Sequence, residues 1–197
     1  MYLALLSPRT LSLLVLAGSL ATPLAKAASL PADWLLAGSR SLEYQIDLDT
    51  RNTLSGHGAG SLQHIRGKGD GFGTLMTEFD PADYAGKRVR LSGWLRYRDV
   101  TGRTGLWMRA DSPDEFASAF YNSQDLKLQG SRDWTRYSVV LDIPADAERL
   151  SYGVLLNGRG RVWLDSMALE VVDDAVPVSV QVSAKSLPSK RSPALLR

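Results

Sequence analysis

Few side chains in this sequence can do covalent or acid–base chemistry. Cysteine is absent, which removes thiolate nucleophiles, thiolate metal sites, disulfides and lipidated cysteines at once. The two histidines, His57 and His64, stand in no metal-ligating pattern such as His-Glu-x-x-His. His57 falls in a Ser55-Gly56-His57-Gly58 loop and His64 on a strand beside Leu62 and Ile65, so both are expected in structural roles. A serine triad converges only in space and stays open, but the Gly-x-Ser-x-Gly elbow is missing. Glycoside hydrolysis needs two carboxylates about 5 to 9.5 Å apart. Glu43, Asp70, Glu78, Asp111 and Glu115 are the acids that could supply such a pair. The glycine-rich GKGDGFG of Gly67–Gly73 lacks the G-x-x-x-x-G-K-[ST] order and feeds a strand-like FGTLMTEF, so it reads as a hairpin loop, not a phosphate cradle.

Residues suited to binding are better represented. From Lys87 to Asp111, KRVRLSGWLRYRDVTGRTGLWMRAD, the chain reads as two strands. Val89, Leu91, Gly93, Leu95 and Tyr97 alternate with Arg88, Arg90, Ser92, Trp94, Arg96 and Arg98, the period of two that a sheet imposes. Leu106, Met108 and Ala110 alternate in the same way with Gly105, Trp107 and Arg109. Pairing these strands through a turn at Asp99–Gly105 would place Trp94, Arg96, Trp107 and Arg109 on one outer surface. The competing reading buries the aromatics in a core. On an exposed face, two arginines beside two tryptophans favour a carboxylate-bearing ligand such as a uronic acid, a peptide terminus or a cell-wall fragment.

The elements that must carry these residues are short strands. Ser41–Asp49 alternates Leu42, Tyr44, Ile46 and Leu48 with Glu43, Gln45, Asp47 and Asp49. Ala59–Ile65, Phe72–Phe79, Glu115–Tyr121, Trp134–Ile143, Leu150–Leu156 and Arg161–Val172 follow, about nine strands in all. Arg51–Gly58 is a loop, Pro81–Tyr84 suits a short helical turn, and Asn157-Gly158 suits a tight hairpin. No long helical periodicity interrupts them, which points to an all-β barrel or two-sheet sandwich.

With 197 residues, 44% hydrophobic and 22% charged, the chain is expected to hold one domain with tails. Arg9, the apolar Leu11–Ala21 and the small-x-small Ala25-Lys26-Ala27 read as a secretory signal peptide over residues 1–27. That apolar run falls short of the ~20 residues that span a bilayer, so the mature chain is expected to have no transmembrane segment and to be periplasmic or secreted. Removing Arg9 and Lys26 leaves 21 basic against 21 acidic residues. Four of those cations, Lys185, Lys190, Arg191 and Arg197, fall in a proline- and serine-rich tail over 175–197, read as flexible, with an added edge strand at Val176–Val182 as its alternative. The body, 28–174, therefore carries 17 basic against 21 acidic residues, a poor balance for gripping a phosphate backbone, and no nucleic acid is expected.

Asp133–Pro144, DWTRYSVVLDIP, followed by Leu150–Val172, LSYGVLLNGRGRVWLDSMALEVV, resembles the closing strands of galactose-binding-like jelly rolls, especially bacterial carbohydrate-binding modules. Gly158, Gly160, Trp163, Asp165 and Leu169 carry the likeness, which covers Ser29 to Val172. The GFGTLM and GLWMR stretches are also similar to segments of bacterial proteins loosely labelled regulatory. The resemblance implies a two-sheet antiparallel β-sandwich that binds sugar on a concave sheet. Trp94, Trp107, Phe120 and Tyr121 would stack on it, although only one of Phe120 and Tyr121 can share the face. Arg96, Arg109, Asn122 and Gln124 would take hydroxyls. It also implies a structural Ca²⁺ held by Asp165 with an oxygen ligand near the N-terminal strand, for which Glu43 is the candidate. The expectation is an exported, non-catalytic module for carbohydrate or a small acidic ligand. Its alternatives are a module for an envelope protein partner and a hydrolase with an unrecognised carboxylate pair.

Overall fold

The computed structural model describes residues 29–179. Among them are nine strands: β1 Leu35–Ala37, β2 Tyr44–Asp49, β3 Ala59–His64, β4 Phe72–Phe79, β5 Arg88–Ser112, β6 Glu115–Tyr121, β7 Leu128–Asp142, β8 Arg149–Asn157 and β9 Arg161–Val171. Among the described residues helical structure is confined to single turns, of which Ser41–Glu43 and Gln124–Leu126 are 3₁₀. At Pro81–Tyr84 the amide N–H groups of Tyr84 and Ala85 both return to the Pro81 carbonyl, so a helical turn does form there. No helix among the described residues is long and apolar enough to cross a membrane.

The strands pair antiparallel throughout, and hydrogen bonding is continuous because β5 belongs to two layers. Its first half, Val89–Arg98, lies between β9 and β7, in a layer ordered β2-β3-β9-β5-β7. Its second half, Arg103–Asp111, lies between β8 and β6, in a layer ordered β1-β4-β8-β5-β6. The turn expected at Asp99–Gly105 is thus a bend within one strand. Asp99 takes a left-handed φ of 53° there, and the pairing with β7 shifts register on either side of Val100.

Alternation survives the bend, so each half of β5 presents one face inward. Val89, Leu91, Leu95 and Tyr97 from the first half meet Leu106, Met108 and Ala110 from the second in one core, with Leu62, Leu75, Val139, Val154, Leu156 and Val162. Each such fully buried aliphatic chain contributes about 1.5–3 kcal/mol over an exposed one. The expected all-β sandwich is the observed fold.

Two expected hairpins are crossings between layers. Gly67–Gly71 leads from β3 in one layer to β4 in the other, and Asn157–Gly160 leads from β8 to β9. The second crossing packs on the bend of β5. Thr101 N–H donates to the Arg159 carbonyl (3.1 Å), and Arg159 N–H donates to Thr101 Oγ1 (2.9 Å). Beyond β9 the chain returns along β7, where Ser179 N–H donates to the Val140 carbonyl at 2.8 Å. The expected leader and the rest of the basic tail lie outside the described residues.

Candidate ligand-binding cleft

The outward side chains of the second layer form a cleft of about 280 Å³. Trp107 is its floor. The strand register puts Trp107 opposite Gly153 on β8, and Gly153 opposite Met76 on β4. The indole crosses β8 above that bare glycine, and its Nε1–H donates to Thr74 Oγ1 on β4 at 2.7 Å. Thr74 in turn donates to the Val154 carbonyl at 2.9 Å, which fixes its hydroxyl as an acceptor for the indole. Met76, Leu155 and Ala37 pack around the ring, which is 6% exposed. Trp107 is therefore a rigid floor, not a protruding platform.

Within the cleft, the exposed aromatic surfaces belong to two phenylalanines. Phe72 at the start of β4 and Phe120 on β6 are each 39% exposed and line the cleft. Phe120 pairs with Arg109, whereas Tyr121 turns into the core and its hydroxyl donates to Asp125. Arg109 is clamped by Asp111, with Nε 2.9 Å from Oδ1 and Nη2 2.9 Å from Oδ2, and its guanidinium lies 4.2 Å from the Phe116 ring centre. Arg103 stands at the other end, and Asn122 lines the wall beside it. None of the described residues lining the cleft is acidic.

Trp107, Arg109, Phe120 and Asn122 are thus brought together as expected, while Trp94 and Arg96 are not. Because β5 changes layers at its bend, the outward face of its first half points away from the core on the other side of the sandwich. There Arg96 and Arg161 flank Trp163, their guanidinium carbons 5.7 and 4.6 Å from its ring centre. Trp163 Nε1–H donates to Asp49 Oδ2 at 2.9 Å. Burial alone would raise the Asp49 carboxyl, but donors from Trp163, Asn52 and Arg51 outweigh it and hold the group well below the usual carboxylate range. A polar groove of about 290 Å³ adjoins this network, lined among others by Gln45, Asp47, Ser61 and Gln63.

The pair implied for Ca²⁺ is also separated. Asp165 Oδ2 accepts from Leu54 N–H (2.7 Å), Ser55 N–H (3.1 Å) and Thr53 Oγ1 (2.9 Å), and Oδ1 accepts from Ser166 Oγ (3.0 Å). Glu43 lies at the other end of β2 and β3, with carboxylate oxygens 3.7 Å from His64 Nε2 and from Arg40 Nη1. A carboxylate ringed by N–H and O–H donors does not fit a hard cation. Among the described residues no cluster of three or more His, Asp or Glu side chains is arranged to hold a metal.

The same architecture recurs in solved structures. The CBM22-1 xylan-binding domain of Paenibacillus barcinonensis Xyn10C superposes with a TM-score of 0.51 at 10% identity, over 74% of this chain and 89% of that one. The enzymatically active domain of bacteriophage CBA120 tailspike protein 4 gives a TM-score of 0.55 at 14% identity, over 72% of this chain and 20% of that one. The body thus has the β-sandwich jelly-roll fold that is also found in carbohydrate-binding modules. At such identities the likeness concerns the fold alone. No family model matches the sequence. In sequence, the chain is 35% identical over 145 residues to an uncharacterized HTH-type transcriptional regulator, YbfP, of Bacillus subtilis (strain 168), covering 73% of this chain and 49% of that protein. The chain therefore spans about half the length of this relative. The described residues hold no helix longer than a single turn.

Phe72, Thr74, Met76, Leu155 and Arg103 are cleft residues that sequence reasoning missed. Phe72, Thr74 and Met76 do alternate on their strand, which is a signal for a shared face. Which strand that face adjoins is decided by the order β4-β8-β5.

Proposed function

We propose that the chain is an exported, non-catalytic module that binds carbohydrate in the cleft of the second layer. The observation that carries this reading is a fixed indole floor between two exposed phenyl rings, with amide and guanidinium groups at the ends. Phenyl faces suit the C–H faces of a pyranose, and a few convergent polar groups suit its hydroxyls. A lining without acids supports binding over hydrolysis, since cleavage requires two carboxylates at the sugar. The carbohydrate-binding-module fold and the leader-like N-terminus support the remainder.

Affinity electrophoresis against xylan, galactan and β-glucan tests it. Phe72→Ala and Phe120→Ala are expected to weaken binding about tenfold each, while Trp94→Ala, on the far face, leaves it unchanged. Binding indifferent to both phenylalanines would remove the cleft from consideration, and new reducing ends released from the polymer would replace the module with an enzyme.

The identity to a transcriptional regulator favours a second reading, in which the same cleft senses a small ligand. A sensor would bind a mono- or disaccharide as tightly as the polymer, whereas a polymer-binding module gains affinity with chain length.

A further inference from the structure

The two guanidinium groups of the cleft are not equivalent. Arg109 is neutralised by the Asp111 carboxylate at 2.9 Å and covered by Phe116. Arg103 has no carboxylate partner among the described residues; its hydrogen bond is a 3.4 Å contact from Nη1 to the Asn122 carbonyl. It is half-buried, and that burial pulls its pKa below the ordinary arginine value with no acid opposing it. A partly desolvated guanidinium whose one hydrogen-bond acceptor among the described residues is a carbonyl retains donors for a bidentate oxyanion.

Its surroundings fit such a guest. Arg103 is opposite Asn157 on β8, and Asn157 is opposite Phe72 on β4. Strands two apart are separated by about 10 Å, room for one pyranose ring between Phe72 and the guanidinium. The adjoining loops add Arg159, whose Nε donates to the Lys68 carbonyl at 3.3 Å, while Asp70 of the same loop faces Arg40 at 3.7 Å. Arg103 is the charged residue that lines this end of the cleft.

We infer that the cleft selects acidic sugars, taking the carboxylate of a uronic acid on Arg103 while its ring lies against Phe72. The inference rests on the carbohydrate reading above, and the two can fail separately.

Isothermal titration with oligogalacturonate and oligoglucuronate, each beside its methyl ester, isolates the charge on an unchanged sugar. The wild-type protein is expected to bind an acid at least about tenfold more tightly than its ester at low salt. Arg103→Met should bring that ratio to about one, and Arg103→Lys should retain part of it, with thermal melts confirming that both variants fold. A wild-type ratio of one or less for both sugars overturns the inference without recourse to any variant. If neutral polymers then still bind in a Phe120-dependent way, carbohydrate recognition stands and only the acidic preference is lost. Loss of all saccharide binding removes both.

Discussion

Asp165 shows what a single carboxylate does for a loop. Burial would raise its pKa, but the N–H groups of Ser55 and Leu54 and the hydroxyls of Ser55 and Thr53 outweigh that and hold it at about 2. Those donors belong to the Arg51–Gly58 segment, so the anion pins that segment to β9. A carboxyl whose pKa is lower in the folded chain than in the unfolded one stabilises the fold above the unfolded value, near 4. That contribution is lost as pH falls from about 4 to about 2. Asp165→Asn sets an amide N–H₂ against the same donors. It is expected to cost about 1–3 kcal/mol at neutral pH, read as a lower urea midpoint and faster proteolysis within 51–58. The gap from the wild type should narrow below pH 4, and a gap constant down to pH 2 would contradict the assignment. The aspartate was conspicuous in the sequence, but its partners in the loop were not, because they lie more than a hundred positions away.

At the scale of elements, the bend of β5 and the β8–β9 crossing hold each other in place. Gly160 has φ of 118°, and a Cβ there would stand 2.8 Å from the carbonyl oxygens of Arg98 and Asp99. Gly130 also has a positive φ, 75°, but its Cβ would meet nothing within 4 Å. Gly130→Ala should therefore cost only the backbone strain, about 1–2 kcal/mol. Gly160→Ala adds a collision with the backbone of β5 and should cost clearly more, measured by chemical denaturation of both variants. Equal losses would mean that the crossing does not bear on the bend. Strands such as Phe72–Phe79 and Glu115–Tyr121 were legible to the residue, because period-two alternation and flanking turn residues are local. The continuity of β5 was not legible. A strand passing from one layer to another keeps alternating on both sides of its bend, and Asp99–Gly105 has the composition of a turn. That one error moved Trp94 and Arg96 to the wrong face, while Trp107, Arg109, Phe120 and Asn122 were grouped correctly because β5 and β6 are neighbours in sequence and in space.

Taken whole, the molecule has one main buried centre between two outer faces, and β5 supplies both layers with core residues. Val89, Leu91 and Leu95 would lose their cover if the second layer opened, and Leu106 and Met108 if the first did. The second layer's own cluster, Met76, Trp107, Leu155 and Ala37, is small beside the shared core, so neither layer has enough of an apolar centre to fold around alone and unfolding should be a single transition. The tryptophans allow this to be read from each face. Trp163 reports the first layer through its bond to Asp49, and Trp107 reports the second through its bond to Thr74. With the other four indoles replaced by phenylalanine in each case, each reporter is expected to show a fluorescence midpoint in urea that coincides with that same variant's far-ultraviolet circular dichroism. Refolding should take milliseconds to seconds, because pairing such as β3 with β9 joins distant parts of the chain. A fluorescence midpoint that parts from circular dichroism in either variant would mean that one layer survives without the other. The cleft would then owe its geometry to the second layer alone, and core substitutions in the first would leave saccharide binding intact.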